Sequence, residues 1–539
     1  MKKRMTVCGI CLTLVFSLIG GRLWQISLLD AYKTSSAGTS SYSVTVDRPR
    51  GSIFDRRLER LTNRDAVYKA VLTATPEVSR ELYRCFSKAR ADEITRSLAA
   101  NTPVTVTVPS DFSAKGAAVF KIYDKNPSYI PAVQLLGYLD SQGRHGKAGI
   151  SLAFDDRLFY DGVTSASVAA NAAGGILLGI EPERNDNSDI YDSGLVTTLD
   201  YKIQLAAESA LSGVKKGAIA VTKTGSGEVL ALASSPSFSP QNLSAALENS
   251  DSPFLNRSLC NYNLGSIFKI CVVCAALESG ISPDFSYCCT GSIDCGNTFF
   301  CHKSDGHGSI GMSEAFAKSC NTYFIALAKE VGAEKIYEIA QKLGLSGRQK
   351  ICEGLEQSCD LGELSKIKES PSALANFAIG QGDIMVTPLC VSLLVNAAAN
   401  GGVYFPPALI SGYRSSDGTI DYQKGTEGTR VFSRQTAETL SAMMKRVFED
   451  GTASGLSPKA GVFGGKTATA ETGFKNDDGN FAKAAWFAGY YELDGLRLSV
   501  AVLVEDGRSG TADAAPIFRD FCNKSAADMS FEGSSAADD

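Results

Sequence analysis

The chain has 539 residues, of which 44% are hydrophobic and 21% charged, and its net charge is −5. This length predicts about two to four domains. The composition is that of a globular protein, which excludes a disordered chain and a multi-span membrane protein. Basic residues form no stripe interleaved with aromatic side chains, so a nucleic acid is excluded as a partner.

The first 27 residues have the pattern of an export signal. Three basic residues, Lys2 to Arg4, precede an apolar run from Met5 to Gly21, and Trp24 follows it. Positive charge before such a run places the N-terminus in the cytoplasm. We expect an uncleaved single-pass helix, because no Ala-x-Ala-like cleavage site follows; a cleaved signal peptide is the alternative. Either way, the rest of the chain is expected outside the cytoplasm.

Residues 28–190 are predicted to form a small mixed α/β domain that begins with a polar stalk. Strand patterns occur at Val67–Leu72 and at Val104–Val108, where apolar residues alternate with polar ones. A helical stretch, Pro76 to Ala99, separates them. A polar loop before residue 190 indicates the boundary of this domain.

Residues 191–524 are predicted to form the main domain, and residues 525–539 a disordered tail. Two strand patterns start the domain, at 217–222 and 228–233, and a turn between them predicts a hairpin. Helical patterns dominate the middle, and three strands return between residues 462 and 504. This order predicts an α+β fold with one antiparallel sheet built from both ends of the domain and helices on its faces.

Ser266 begins the motif Ser266-Ile-Phe-Lys269 at the start of a strongly apolar helix. Residues three apart share a helix face, so a hydroxyl and an amine can meet there. Serine needs a base to take its proton, and a lysine that burial keeps neutral can serve as that base. By itself the motif is weak, because an N-cap serine followed by a solvated lysine has the same spacing.

Ser319-Cys320-Asn321 lies within a predicted helix from Ala315 to Glu330. Serine and asparagine disfavour a helix interior because their side chains compete for backbone hydrogen bonds. The pattern therefore indicates a helix break, or a hydroxyl that relays a proton beside an amide that holds a substrate.

The stretch Gly464-Gly-Lys466-Thr467-Ala468-Thr469-Ala470 is predicted to be a strand. Two glycines permit the close approach of a ligand or another backbone. An edge strand of this kind can bind a peptide in extended form. An ordinary surface strand is the alternative.

In chain order, S-x-x-K, S-x-N and K-T-x resemble the three motifs of penicillin-binding proteins. The chain is identified as a member of their class B branch, the monofunctional transpeptidases of the division, elongation or sporulation type. The flanking stretches that resemble this branch are Arg50-Gly-Ser-Ile-Phe-Asp-Arg56, Ser252-Pro-Phe-Leu-Asn-Arg257, Ala378-Ile-Gly-Gln-Gly382 and Ala485-Trp-Phe-Ala-Gly-Tyr490.

The resemblance implies a penicilloyl-serine transferase fold after an N-terminal pedestal for dimerisation or partner binding. It implies that Ser266 attacks the penultimate D-Ala carbonyl of a peptidoglycan stem peptide, with Lys269 as general base. The backbone N–H groups of Ser266 and Thr469 would form the oxyanion hole. An amine of a second stem peptide would then take the acyl group, and β-lactams would acylate Ser266.

The resemblance assigns the remaining site residues as well. Ser319 would pass a proton to the leaving group, and Asn321 would bind the substrate amide. The positive charge of Lys466 would stabilise the part of the site that contains Ser319. Thr467 would bind the terminal carboxylate of the substrate. No cofactor or metal is implied.

Two positions depart from the family pattern. Ala468 stands where the family has glycine, and on a strand it points away from Thr467. We expect altered substrate or drug fit, with the chemistry retained. The pedestal stretch Gly146–Ser151 lacks the family's glutamate, which bears on partner contacts.

Cysteine is abundant, with 15 residues. One group comprises Cys288, Cys289, Cys295, Cys301, His302 and His307. We expect one or two disulfides there; free thiols and a metal site, whose ligand spacings would be irregular, are the alternatives.

Two other functions remain open from the sequence. One is a hydrolase of the D,D-carboxypeptidase or β-lactamase kind, in which water takes the acyl group. The other is a penicillin sensor or catalytically dispensable scaffold for cell division. The expected partners of the transpeptidase are stem peptides and lipid-linked precursors, the cytoplasmic membrane and a separate membrane glycosyltransferase.

Overall fold

The computed structural model describes residues 2–28, 40–171, 175–177, 179–475, 479 and 481–535. The chain divides into two compact units. The first contains Met1–Pro49, Ala66–Tyr123 and Tyr160–Ile190; the second contains Arg50–Asp65, Asp124–Phe159 and Tyr191–Asp539. The division is therefore not the single cut at residue 190 that the sequence suggested. The chain enters the second unit early because Ser52–Phe54 pairs in parallel with Gly194–Thr197.

The first unit contains two three-stranded sheets. Their strands, in spatial order, are Ser40–Asp47, Thr164–Ala170 and Glu183–Asn185, and then Val104–Val108, Ala66–Leu72 and Ala117–Tyr123. The predicted helical stretch is divided at Ser87 into Pro76–Cys85 and Lys88–Leu98. Apolar side chains of both helices share a core with strand residues such as Leu72.

The N-terminal residues form a helix, Lys2–Leu28. Among the residues that the structure describes, no helix is both long and apolar enough to cross a membrane, so the predicted spanning helix is not supported. Residues 29–39 of the predicted stalk lie outside the described residues.

The second unit is built on a five-stranded antiparallel sheet. Its strands in chain order are β1 (Gly217–Lys223), β2 (Val229–Ser235), β3 (Val462–Lys475), β4 (Phe481–Leu493) and β5 (Leu496–Glu505). The spatial order is β2-β1-β5-β4-β3, which confirms the predicted sheet made from both ends of the domain. β3 is an edge strand, so one side of its backbone faces away from the sheet.

Two helices of this unit matter most for the site, α1 (Lys269–Glu278) and α2 (Asn321–Val331). The other helices are Val133–Leu136, Gly149–Ala153, Asp155–Leu158, Tyr201–Ala210, Leu243–Glu248, Met312–Ala317, Ala333–Lys342, Leu364–Glu369, Pro371–Ala378, Pro388–Ala399, Arg434–Glu449 and Ala515–Ser535. The helix α1 lies in the core, and eight of its ten residues are buried.

A second sheet of this unit has four strands, Ser52–Phe54, Gly194–Thr197, Ile410–Arg414 and Ile420–Tyr422. The remaining strands form two-stranded pairs: Tyr262–Asn263 with Met385–Val386, Ser286–Cys289 with Gly308–Gly311, Ser292–Asp294 with Thr298–Phe300, Gly347–Cys352 with Leu355–Cys359, and Val403–Tyr404 with Thr429–Arg430.

The C-terminal helix continues to Ser535, so the predicted disordered tail is helical over the residues described there. The first half of this helix packs against the rest of the second unit, since Cys522 is buried and Lys524 Nζ donates to Ser209 O at 2.9 Å. Residues 536–539 lie outside the described residues.

Candidate active site

Ser266 lies in a tight 3-10 turn, Gly265–Phe268, that leads directly into α1. Gly265 has φ +63°, and its N–H donates to Gly380 O at 2.8 Å. A Cβ on Gly265 would lie only 3.3 Å from both Ala470 Cβ and Thr469 O of β3. The turn therefore holds the partly exposed Ser266 against the edge of β3.

Lys269 follows one turn later and is fully buried. Its Nζ donates to Ser319 O at 2.9 Å, Ser319 Oγ at 3.2 Å and Asn321 Oδ1 at 2.8 Å. Burial lowers the pKa of Lys269 to about 7, against the opposing effect of nearby Cys320 and Cys301. Near neutral pH, part of the population therefore holds the neutral amine, whose two N–H groups can keep two of these bonds while its lone pair accepts a proton.

The Ser319-Cys320-Asn321 segment breaks the helix that the sequence predicted as continuous. Met312–Ala317 ends before it, and α2 begins at Asn321. Ser319 has φ +54°, a left-handed conformation that reverses the chain. Because of this break, the side chains of Ser319 and Asn321 both reach Lys269 Nζ.

Lys466 is fully buried on β3. Its Nζ donates to Thr467 O at 3.2 Å and lies 5.6 Å from the centroid of the Phe316 ring. Burial, and then the charge of Lys269, lower the pKa of Lys466 well below its usual value. Lys466 therefore lies close to Lys269, on the side of the Ser319 turn.

Thr467 and Thr469 alternate with Lys466 and Ala468 along β3. The Thr467 hydroxyl shares a hydrogen bond with Thr452 Oγ1. The exposed Thr469 accepts from the Gly510 N–H at 3.1 Å.

Ala468 is 4% exposed, and a Cβ on Gly265 would lie 3.4 Å from the Ala468 methyl group. The methyl group therefore packs behind the nucleophile turn, on the side of the strand that the sequence suggested. This placement separates Ala468 from the Thr467 and Thr469 side of β3, so the structure favours a small effect of Ala468 on substrate or drug fit in place of the altered fit expected from the sequence.

The structure thus brings the predicted site residues into one corner of the second unit. Sequence reasoning missed Thr452 and Gly510, which support Thr467 and Thr469. Thr452 lies in a turn before β3, and Gly510 begins a π-helical turn after β5, so neither belongs to a motif.

The cysteines differ from the expectation. The thirteen cysteines whose side chains the structure describes are free thiols, so the expected disulfides are not formed. Cys301 and Cys320, for example, have sulfur atoms 3.9 Å apart, well beyond the roughly 2.05 Å of a disulfide bond.

Curated proteins that match most of this chain are named as penicillin-binding proteins or peptidoglycan D,D-transpeptidases. It is 28% identical to penicillin-binding protein PbpB of Mycolicibacterium smegmatis, over 93% of this chain and 86% of that protein. It is also 28% identical to the peptidoglycan D,D-transpeptidase PbpA of the same organism, over 74% of this chain and 82% of that protein.

Solved structures show the same fold. Penicillin-binding protein A from M. tuberculosis, in a ceftriaxone acyl-enzyme complex, matches with a TM-score of 0.63 and 21% identity over 89% of this chain and 99% of that one. A chain of a peptidoglycan synthase complex that coordinates polymerization and crosslinking matches with a TM-score of 0.66 and 24% identity, over 97% of this chain and 98% of that one.

The family model for the penicillin-binding protein transpeptidase domain matches residues 217–523. These limits run from the first residue of β1 into the C-terminal helix, and so include every predicted site residue. The chain therefore belongs to the penicillin-binding protein transpeptidase family.

Proposed function

We propose that this chain is a serine D,D-transpeptidase that cross-links peptidoglycan stem peptides through an acyl-enzyme on Ser266. The observation that carries the proposal is the bonding of Lys269 Nζ to Ser319 and Asn321, one helical turn after Ser266. The family match and the D,D-transpeptidase name of the relative PbpA support it.

In the first half-reaction, neutral Lys269 takes the proton of Ser266 Oγ, and Oγ bonds to the penultimate D-Ala carbonyl carbon. The turn and β3 adjoin at Gly265 and Thr469, so the N–H groups of Ser266 and Thr469 are suited to stabilise the oxyanion. Collapse of the tetrahedral intermediate breaks the peptide bond. The leaving D-Ala amine receives its proton through Ser319, which is hydrogen-bonded to Lys269.

In the second half-reaction, an amine of another stem peptide attacks the Ser266 ester. The same lysine removes a proton from that amine, and the proton returns to Ser266 Oγ as the ester bond breaks. The products are a cross-linked peptide and free enzyme. Attack by water instead would release a trimmed peptide, so analysis of the products separates the transpeptidase from a hydrolase.

A cleft suited to a charged peptide lies beyond the nucleophile turn. Its volume is about 1210 Å³, and its walls include Asn263, three residues before Ser266, and Thr472, three after Thr469. Charged side chains of both signs line it, among them Lys475 and Asp383. Such a surface can bind the carboxylates and the amine of a stem peptide.

β-Lactams fit the same chemistry, because opening their ring leaves an acyl group on the serine. The acyl-enzyme named for the similar M. tuberculosis structure supports this extension. We expect a fluorescent penicillin to label the wild type and not Ser266→Ala. Ser282→Ala, which changes an exposed serine, is the matched control and should label normally. Equal labelling of Ser266→Ala, or none of the wild type, would contradict the proposal.

A separate glycosyltransferase is the partner that this function requires, since cross-linking needs newly polymerised strands. The similarity to a chain of a peptidoglycan synthase complex supports this part of the proposal. Co-purification with a membrane glycosyltransferase tests it.

We also propose that the N-terminal segment attaches the chain to the cytoplasmic membrane, with Ser266 outside the cytoplasm. Its support is the basic tip, Lys2 to Arg4, before the apolar run to Gly21. Digestion of intact spheroplasts by an added protease tests it, because only an exported domain is cleaved.

A further inference from the structure

Four potential metal ligands meet beside the Ser319 turn. They are Cys289, Cys301, His307 and Cys320, and their ligand atoms all lie within 4.8 Å of one another. The three cysteines are buried, and His307 is half-buried. The set combines three sulfur atoms with one imidazole nitrogen, which is a donor set that zinc prefers.

The spacing of these atoms matches a tetrahedral zinc site. With Zn–S and Zn–N bonds of about 2.3 and 2.0 Å, the tetrahedron has edges of about 3.8 Å between sulfurs and 3.5 Å between sulfur and nitrogen. Cys301 Sγ lies 3.9 Å from Cys320 Sγ and 3.5 Å from His307 Nδ1. Two edges are thus already at their ligated lengths.

The backbone around the cluster allows the segments that carry Cys289 and His307 to approach each other closely. Cys289 ends the strand Ser286–Cys289, and His307 immediately precedes its partner strand, Gly308–Gly311. The two segments cross at glycines: a Cβ on Gly306 would lie 2.1 Å from Cys289 O, and one on Gly291 would lie 1.9 Å from Ser304 O. Side chains at these glycines would push the ligand-bearing segments apart.

The same cluster reaches the catalytic corner through Cys320, which stands between Ser319 and Asn321. Asn321 Nδ2 also donates to Phe300 O at 3.4 Å, next to Cys301. A metal that joins Cys320 to the 289–307 segment would therefore fix the turn whose side chains bind Lys269.

We propose that Cys289, Cys301, His307 and Cys320 bind one Zn²⁺ ion in a structural site, and that this ion positions the Ser319–Asn321 turn for catalysis. Four protein ligands leave no open coordination position, so the ion takes no part in the chemistry. Metal binding is independent of the proposed transpeptidase function; only the positioning role rests on it.

The first test is the metal content of the full-length chain, purified without chelator or metal-affinity tag. Mass spectrometry of the dissolved elements should find about one zinc per chain in the wild type and in Ser266→Ala, which cannot be acylated. Less than about 0.1 zinc per chain after incubation with zinc, or another metal in stoichiometric amount, would overturn the assignment.

Matched pairs of variants then locate the ion. Cys289→Ser and His307→Ala should lose the zinc. Cys288→Ser and His302→Ala should keep it, because both of those side chains are exposed neighbours outside the cluster. Equal loss in the two sets would overturn the site.

Two measurements on the wild type avoid any dependence on how the variants fold. Replacement of zinc by Co²⁺ should give intense thiolate-to-cobalt absorption, and its absence would contradict sulfur ligation. Peptide mapping under non-reducing conditions should find Cys301 and Cys320 unlinked; a disulfide between them in the purified protein would overturn the proposal.

The positioning role has its own readout. Removal of the metal by a chelator should slow acylation by a fluorescent penicillin about tenfold, with recovery when zinc is restored. An unchanged acylation rate in protein shown to be metal-free would limit the ion to stability and would refute the positioning role.

Discussion

The two sides of the catalytic corner are held in different ways. On one side, Lys466 to Thr469 lie in a long strand whose register is set by continuous pairing with β4, such as Lys466 with Ala488 and Thr469 with Ala485. On the other side, Ser319 to Asn321 form a turn between two helices, with Ser319 in a left-handed conformation.

The strand residues are positioned mainly by their own secondary structure, whereas the turn residues are positioned by contacts with distant parts of the chain. A strand places alternate side chains by its own geometry, so pairing within the sheet sets the directions of the β3 side chains, and Thr452 and Gly510 add only hydrogen bonds to the hydroxyls of Thr467 and Thr469. The turn depends on contacts from elsewhere in the chain, namely Lys269, Phe300 and the cysteine–histidine cluster. Changes to the turn side should therefore affect catalysis more strongly than changes to the strand side.

The largest effect is expected from Lys269→Met, which removes the base and leaves Ser319 and Asn321 without their shared donor. Acylation by a fluorescent penicillin should fall about 10³-fold, as the loss of a general base predicts. Lys269→Arg should not restore it, because a guanidinium stays charged. Lys342→Met, an exposed lysine paired with Glu338, is the control. Near-normal acylation by Lys269→Met would show that another group is the base.

The same base sets the pH dependence of acylation. Because burial lowers the pKa of Lys269 to about 7, the neutral fraction grows as pH rises through that value. The acylation rate should fall about tenfold per pH unit below 7 and level off above it. The nearby ionisable groups are Lys466, Cys320 and Cys301. A rate that declines between pH 6 and 8 would contradict a neutral lysine base.

An intermediate effect is expected from Cys320→Ala, which leaves the catalytic side chains in place and weakens the support of the turn. Acylation should fall about tenfold through misplacement of Ser319 and Asn321. Cys274→Ala removes an equally buried thiol, from α1, and should affect unfolding in urea and not the acylation rate. If both variants acylate equally, Cys320 is an ordinary core residue.

The smallest effect is expected on the strand side, from Ala468→Gly. The Ala468 methyl group packs near Gly265 and away from Thr467 and Thr469, so acylation should change by less than about threefold. The folded state should lose roughly 0.5–1 kcal/mol, because glycine in a strand has more backbone freedom to lose. Acylation kinetics with several β-lactams measure the first effect and urea unfolding the second. A change well above threefold would show that the methyl group contacts the ligand.

The sequence could predict what local patterns determine. The continuous apolar runs of β1 and β5 identified two strands of the sheet, and the S-x-x-K spacing placed Ser266 and Lys269 on adjoining turns. These features depend on residues close in the chain, whose geometry is fixed by the type of secondary structure.

The other features of the fold and the site depend on contacts between residues that are far apart in the sequence, which a local pattern cannot show. Cys289 and His307 are 18 positions apart, and their approach follows from the crossing of two glycine-containing segments. The helix break at Ser319 was predicted only as one alternative, because Ala315–Glu330 is otherwise a good helical sequence. Likewise, the hydrogen bond between Thr452 and Thr467 joins a turn to a strand, and no local pattern around either residue predicts it.

The left-handed Ser319 has a consequence for the evolution of this enzyme. Its conformation costs about 1–2 kcal/mol for a side-chain-bearing residue, and glycine would adopt it almost freely. Glycine, however, has no hydroxyl to offer Lys269. Selection for thermal stability alone should therefore replace Ser319 by glycine. The resulting protein would be more stable and would lack transpeptidase activity. Position 319 is thus one where activity and stability favour different residues.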